Sequence, residues 1–245
     1  MLVPAFIRRT ACAALLFAAT TAAGAAGLQV SPTTVEVQPE RGAGGLTLTN
    51  NGSRALTAQA RVFRWTQADG QDILEPTTDL AISPPMLELP PGGTQLLRVI
   101  RLGPPPESEA SYRVIVDELP LQGQPAGEGA ALRFVLRYSV PVFLAPAGDI
   151  ATAPVLHAQV IADADPGDRH FRLDNLGNGR AQVADLAYRS ADGERIPVAA
   201  GLSGYVLPGQ HRQWALPPAL ANMSGGTFEA RINGEPSART LALDR

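Results

Sequence analysis

The sequence predicts an all-β protein built as two tandem β-sandwiches. Apolar and polar residues alternate with period two through the chain after residue 27, and turn dipeptides interrupt that alternation every roughly 8–12 residues. No segment after residue 27 carries the period and caps of a helix. Gly 24 and Pro 22 in 245 residues supply the turns, about 19% against a usual ~12%. With 45% hydrophobic and 18% charged residues the chain has material for a core and is not of disordered composition.

The first segment reads as an export signal, residues 1–27. Arg8 and Arg9 form a short positive region, Thr10–Ala23 is apolar and small, and Ala23-Gly24-Ala25 is a small-x-small cleavage site. The apolar run is shorter than the ~20 residues of a membrane-spanning helix, and no second such run follows, so the mature chain is expected not to insert in a membrane. The Arg-Arg pair matches a twin-arginine signal poorly, and Cys12 lacks the residues of a lipoprotein site. Cys12 is the only cysteine, so the exported chain is expected to rest on packing, without crosslinks.

Strands are expected in order. Leu28–Val37 alternates, a Gly-rich turn spans Arg41–Gly45, and Leu46–Asn50 leads to the tight-turn dipeptide Asn51-Gly52. Leu56–Trp65, Thr94–Leu102 and Ser111–Leu119 follow, then the long strand Ala131–Leu144 (ALRFVLRYSVPVFL). The Pro/Gly segment Ala145–Asp149 divides the chain. Domains are therefore expected over 28–146 and 150–245, each with the length of one immunoglobulin-like sandwich. In the second, Val155–Ile161, His170–Asp174, Ala181–Tyr188, Arg212–Leu216, Thr227–Ile232 and Arg239–Leu243 are strand candidates, separated by turns such as Gly177-Asn178-Gly179 and Asn233-Gly234.

Charge and chemistry exclude several classes. The formal charge is −3, and loss of Arg8 and Arg9 leaves 18 basic against 23 acidic residues, which argues against nucleic-acid binding through a phosphate footprint. His157, His170 and His211 show no metal spacing, and one cysteine excludes a thiolate zinc site. Gly201-Leu-Ser203-Gly204 has the wrong spacing for a nucleophile elbow. Asp163, Asp165 and Asp168 lack the remaining ligands of a calcium loop. Glu107, Glu109, Asp117 and Glu118 carry no pairing for acid–base work. A binding protein without metal or cofactor is expected, not an enzyme.

One strand stands out. In Ala131–Leu144, Leu132, Phe134, Leu136 and Tyr138 share one face, and Arg133, Val135, Arg137 and Ser139 share the other. Two readings stay open on pattern alone: a core strand, or an edge strand lending its apolar row to a partner. Fully buried in a partner, each such side chain contributes about 1.5–3 kcal/mol.

The order of segments resembles the PapD-like periplasmic pilus chaperones, in detail the archaic chaperone–usher branch. The matching stretches are Val30–Val37, Leu46–Gly52, Phe63–Gly70, Ile82–Pro85, Leu89–Gly93, Gln95–Val99, Ser111–Val114, Glu118–Pro120 and Tyr138–Phe143. Leu173–Gly179 and Gly204–Gln210 match more loosely in the second half. The resemblance implies two immunoglobulin-like domains in an L-shaped arrangement and a periplasmic location. It implies pilin subunits as clients and an outer-membrane usher as recipient. Donor-strand complementation, a mode of strand addition, would place Leu132, Phe134 and Leu136 in the client's groove, with Tyr138 a weaker contributor.

Two positions depart from the better-known branches, which anchor the client's terminal carboxylate with an arginine and a lysine. Thr34 and Pro141 stand there, and neither replaces a cation. Arg133 and Arg137 are the substitutes the sequence offers. The competing functional reading is a structural or adhesive exported protein of tandem immunoglobulin-like domains. A third, an exported hydrolase or carbohydrate-binding module, would need a pocket of convergent polar groups.

Overall fold

The computed structural model describes residues 27–119, 135–148, 150–162, 169–221 and 223–244. The expected export signal apart from Gly27, the side chains of Leu132, Arg133 and Phe134, and the Asp163–Asp168 run lie outside the described residues.

The first sandwich contains β1 (Leu28–Ser31), β2 (Val35–Val37), β3 (Ala43–Asn50), β4 (Leu56–Ala68) and β5 (Gln71–Pro76). It continues with β6 (Leu80–Ser83), β7 (Met86–Leu89), β8 (Thr94–Arg101), β9 (Ala110–Leu119) and β10 (Arg137–Leu144). One sheet has the order β1-β3-β8-β6; the other runs β2-β10-β9-β4-β5, with β7 also pairing β4. Between them Leu46, Leu48, Leu97, Val99, Val114, Val116, Val140 and Val142 form one buried cluster.

The second sandwich contains β11 (Leu156–Ala162), β12 (Arg169–Asn175), β13 (Ala181–Arg189) and β14 (Arg195–Val206). Strands β15 (His211–Ala215), β16 (Thr227–Ile232) and β17 (Arg239–Leu241) complete it, with one 3-10 turn at Pro218–Leu220. Its sheets run β11-β12-β15 and β14-β13-β16-β17. Phe171 and Phe228, with ring centroids 4.3 Å apart, centre its core.

The expected strand Leu28–Val37 is in fact two. β1 pairs with β3 in one sheet, and β2 pairs in parallel with β10 in the other. Pro32 between them has no N–H for a ladder, so the chain changes sheets there. The expected turn at Arg41–Gly45 is also mostly strand, since Ala43, Gly44 and Gly45 belong to β3. A Cβ on Gly44 would stand 2.5 Å from Val35 Cγ1, so glycine is required where β3 passes β2. Asn51-Gly52 is no hairpin, because β3 and β4 lie in different sheets. The buried Asn50 shapes the corner: its amide donates to Leu89, Pro90 and Arg54 carbonyls, and its Oδ1 accepts from Gly52 N. Asn175 repeats the device in the second sandwich, donating to Gly179 and Val206 carbonyls and accepting from Val155 and Gly177.

The sandwiches meet through a small apolar cluster of Trp65 and Phe143 from the first and Tyr205 and Leu207 from the second. Gln67 fixes the join, donating to Tyr205 O at 2.8 Å and accepting from Leu207 N at 3.1 Å.

Candidate functional site: an open strand edge beside a charged cleft

Strand β10 is paired along one side and half-paired along the other. β9 accompanies it from Arg137 to Leu144, whereas β2 covers only Val142–Leu144. Glu118 N donates to Leu136 O, and Ala145 N donates to Val37 O. By alternation, even-numbered residues of β10 address β9 and odd-numbered ones address the other edge. Among the described residues, no strand pairs with that edge at Arg137 and Ser139, whereas the register at Val142–Val35 engages the Pro141 carbonyl. Two N–H groups and two carbonyls therefore stand on an open edge, the template on which a further strand adds. Pro141 lacks its N–H on this side, so it costs the β9 ladder nothing.

Val140, Val142 and Leu144 are buried in the core, while Val135 on the opposite face is 55% exposed. Leu136 and Tyr138 are intermediate. Both pack against the chain's own core, and the Tyr138 hydroxyl donates to Leu28 O of β1. At Leu136 and Tyr138 the apolar row is thus partly closed, with β1 holding the tyrosine.

Of the expected anchor residues, Arg137 is held by Asp117 and Arg133 is outside the described residues. Thr34 and Pro141 each stand one residue before the β2–β10 pairing and so share one row on the outer face of the sheet. Pro141 faces Arg113 of β9 across the ladder, a residue the sequence reading passed over. The Arg113 guanidinium lies 3.7 Å from the Trp65 ring centroid and is 16% exposed, with one distant acidic partner, Asp72 at 3.8 Å. Burial lowers its pKa from the ordinary arginine value, against the pull of Asp72. Close by on the same sheet face, Ser111 Oγ and Trp65 Nε1 are buried without a hydrogen-bond partner among the described residues.

Arg180 of the second sandwich occupies the cleft beside Thr34. It donates to Glu36 and Glu109 and stacks 3.7 Å from the Phe143 centroid. Burial raises the Glu109 carboxyl above its ordinary value, and the Arg180 charge and hydrogen bonds oppose that rise. Around this pair lie two cavities of about 550 and 310 Å³; Glu36, Glu109 and Arg180 line both, with Thr34, Tyr205 and Asn233 on the smaller.

No catalytic arrangement appears among the described residues, and no group of three or more His, Cys, Asp or Glu side chains there is placed for a metal. The sheet does bring two of the dispersed histidines together: His157 and His211 flank Asp174 across three strands. Arg172 already occupies both Asp174 carboxylate oxygens. No helix of the described residues is long and apolar enough to cross a membrane.

Two tandem immunoglobulin-like sandwiches with an incompletely paired strand beside their joint define the two-domain chaperone architecture. The chain belongs to the pili and flagellar-assembly chaperones: that family's PapD N-terminal domain matches residues 27–149. No curated protein sequence matches the chain.

Among solved structures, it is similar to a chain of the CsuC–CsuE chaperone–tip adhesion subunit pre-assembly complex from the archaic chaperone-usher Csu pili of Acinetobacter baumannii. The identity is 22% and the TM-score 0.69, over 88% of this chain and 97% of that one. The Pseudomonas aeruginosa CupB2 chaperone is similar at 17% identity and TM-score 0.61, over 88% and 100%. The Salmonella enterica SafA pilin–SafB chaperone complex contributes a chain at 17% identity and TM-score 0.63, over 89% and 96%. These likenesses establish the fold.

Proposed function

We propose that this chain is a periplasmic chaperone that captures pilin subunits by lending them β10 and the residues before it, then delivers them to an outer-membrane usher. The observation that carries the reading is the open edge of β10 at Arg137–Ser139 in a member of the pilus-chaperone family. An incomplete sandwich offers unpaired backbone groups and an apolar groove, and a strand with alternating apolar side chains satisfies both. Leu132, Phe134 and Leu136 fill the groove, with Tyr138 at its margin. Leu136 and Tyr138 part from β1 to do so, and exchange needs no nucleotide.

The client's terminal carboxylate is assigned to Arg113. Thr34 and Pro141 leave their row without a cation, and Arg113 is the next residue along it, held flat against Trp65 with donors to spare. A guanidinium binds a carboxylate bidentately.

The test is capture of a pilin co-expressed with the chaperone. Phe134→Asp and Leu136→Asp lower capture at least about tenfold, equivalent to 1.4 kcal/mol, while Val135→Asp on the opposite face leaves it intact. Undiminished capture by the first two, with circular dichroism unchanged, rules the reading out.

A further inference from the structure

Arg137 is the first residue of β10 and the outermost one in register with β9. At that point stands a three-residue ionic arrangement. Asp117 of β9 lies directly opposite Arg137 and accepts from its Nε, and its other oxygen accepts from Arg61 Nη2 of β4 at 2.6 Å. The Asp117 side chain is 12% exposed, while those of Arg61 and Arg137 are 46% and 68% exposed. Burial works against the Asp117 charge. Hydrogen bonds and attraction from Arg137 and Arg61 together outweigh it and hold the carboxyl below its ordinary value.

Deeper in the strand, Val140, Val142 and Leu144 fix the register by burial. Val135 and Leu136 have no such hold, since Leu136 is half-buried and Val135 is exposed. One inserted residue at the end of a ladder turns every preceding side chain to the opposite face. We propose that Asp117 is a positioning residue that pins β10 where it leaves the sandwich and so fixes which faces Val135 and Leu136 present. The cross-strand pair sets the side-chain phase at residue 137, and the Glu118 N to Leu136 O bond carries that phase one residue further. Arg61 ties the carboxylate to β4, so the pin is referred to the sheet as a whole. A strand in the wrong phase offers charge to an apolar groove. The purpose of the pin rests on the strand-lending reading, but its existence is measured with no client present.

The chain without its export signal lacks cysteine if cleavage falls as the sequence predicts, so single thiols report cleanly. Val135→Cys and Leu136→Cys are made separately, and their alkylation rates are compared in the free chaperone. The exposed position reacts faster. Adding Asp117→Ala lowers the ratio of the two rates about fivefold, the scale of losing a charge-assisted hydrogen bond at a fraying end, with the thermal midpoint nearly unchanged. Asp117→Glu retains most of the ratio, which a purely structural loss would not. Should Asp117→Ala fail to fold, Arg137→Gln replaces it and lowers the same ratio. A ratio unchanged from the parent in Asp117→Ala, or in Arg137→Gln where that is used, overturns the proposal. That result leaves strand lending standing, because capture by Phe134→Asp is scored independently.

Discussion

Arg180 and Phe143 belong to different sandwiches, yet the guanidinium of one lies 3.7 Å from the ring centroid of the other. The same guanidinium donates to Glu109, whose side chain is 5% exposed. One cation thus covers an aromatic ring and neutralises a buried carboxylate at the join. Arg180→Ala strands that carboxylate and costs about 3 kcal/mol, the low end for a broken buried pair because Arg180 keeps part of its hydration. Glu36, 54% exposed, contributes little. Urea denaturation measures the loss, and adding Glu109→Gln recovers part of it by removing the stranded charge.

Tyr112 is pushed up to about 12, first by burial and then by its hydrogen bond to Asp79. Between pH 10 and about 12 the folded chain holds a proton that the unfolded chain releases, so stability falls as pH rises through that window. Among the four tyrosines, Tyr112 is expected to ionise late in a phenolate absorbance titration. Tyr112→Phe removes that late step and flattens stability over the same interval.

Arg113→Ala abolishes stable capture of a co-expressed pilin while leaving the sandwich folded, because the guanidinium packs on Trp65 at the join, outside the apolar cluster between the two sheets. Arg113→Lys restores capture only in part, since an ammonium offers no fork to a carboxylate. Thr34→Ala changes capture little, because a hydroxyl gives only a neutral hydrogen bond. Co-purification yields of the three variants decide the assignment.

Gly44→Ala introduces a methyl 2.5 Å from Val35 Cγ1. Overpacking of this kind costs about 1–3 kcal/mol, and here it presses on the strand that, among the described residues, covers the outer edge of β10. Hydrogen exchange at Phe143 and Ala145, whose amides face β2, is expected to quicken before the global midpoint moves far.

Asn50→Ala removes the side-chain donor to the buried Leu89 carbonyl and the part-buried Arg54 and Pro90 carbonyls and costs about 3 kcal/mol, on the scale of unsatisfied buried polar groups. Asn175→Ala does the same in the second sandwich. Calorimetry is expected to show each variant lowering the transition of its own sandwich.

Much of the fold is legible in the sequence because alternation survives wherever one strand face is buried, as in Leu46–Asn50, Ser111–Leu119 and Ala181–Tyr188. The missed strands lack that contrast. β5 is exposed throughout and ends on Pro76, β6 and β7 flank the Pro84-Pro85 pair, and β14 runs through Ala199, Ala200, Gly201 and Gly204. The apolar phase of β10 was equally legible, whereas its partial cover by β1 depends on Tyr138 reaching Leu28, 110 residues away. Arg113 and Arg180 carry no local signal: one gains its place from facing Pro141, the other from a loop brought beside Glu36, 144 residues distant. The histidines are dispersed in the sequence for the same reason, since only the sheet sets His157 and His211 beside Asp174.

The three-residue span of β2 also imposes a geometric limit. A ribbon annealing to the vacant side of β10 collides with Val35 once it reaches Val142, so the chaperone's own backbone supplies the doorstop. How many rungs a guest can zip up is thereby counted from a fixed end, and added length on the guest projects only outward, past Arg137.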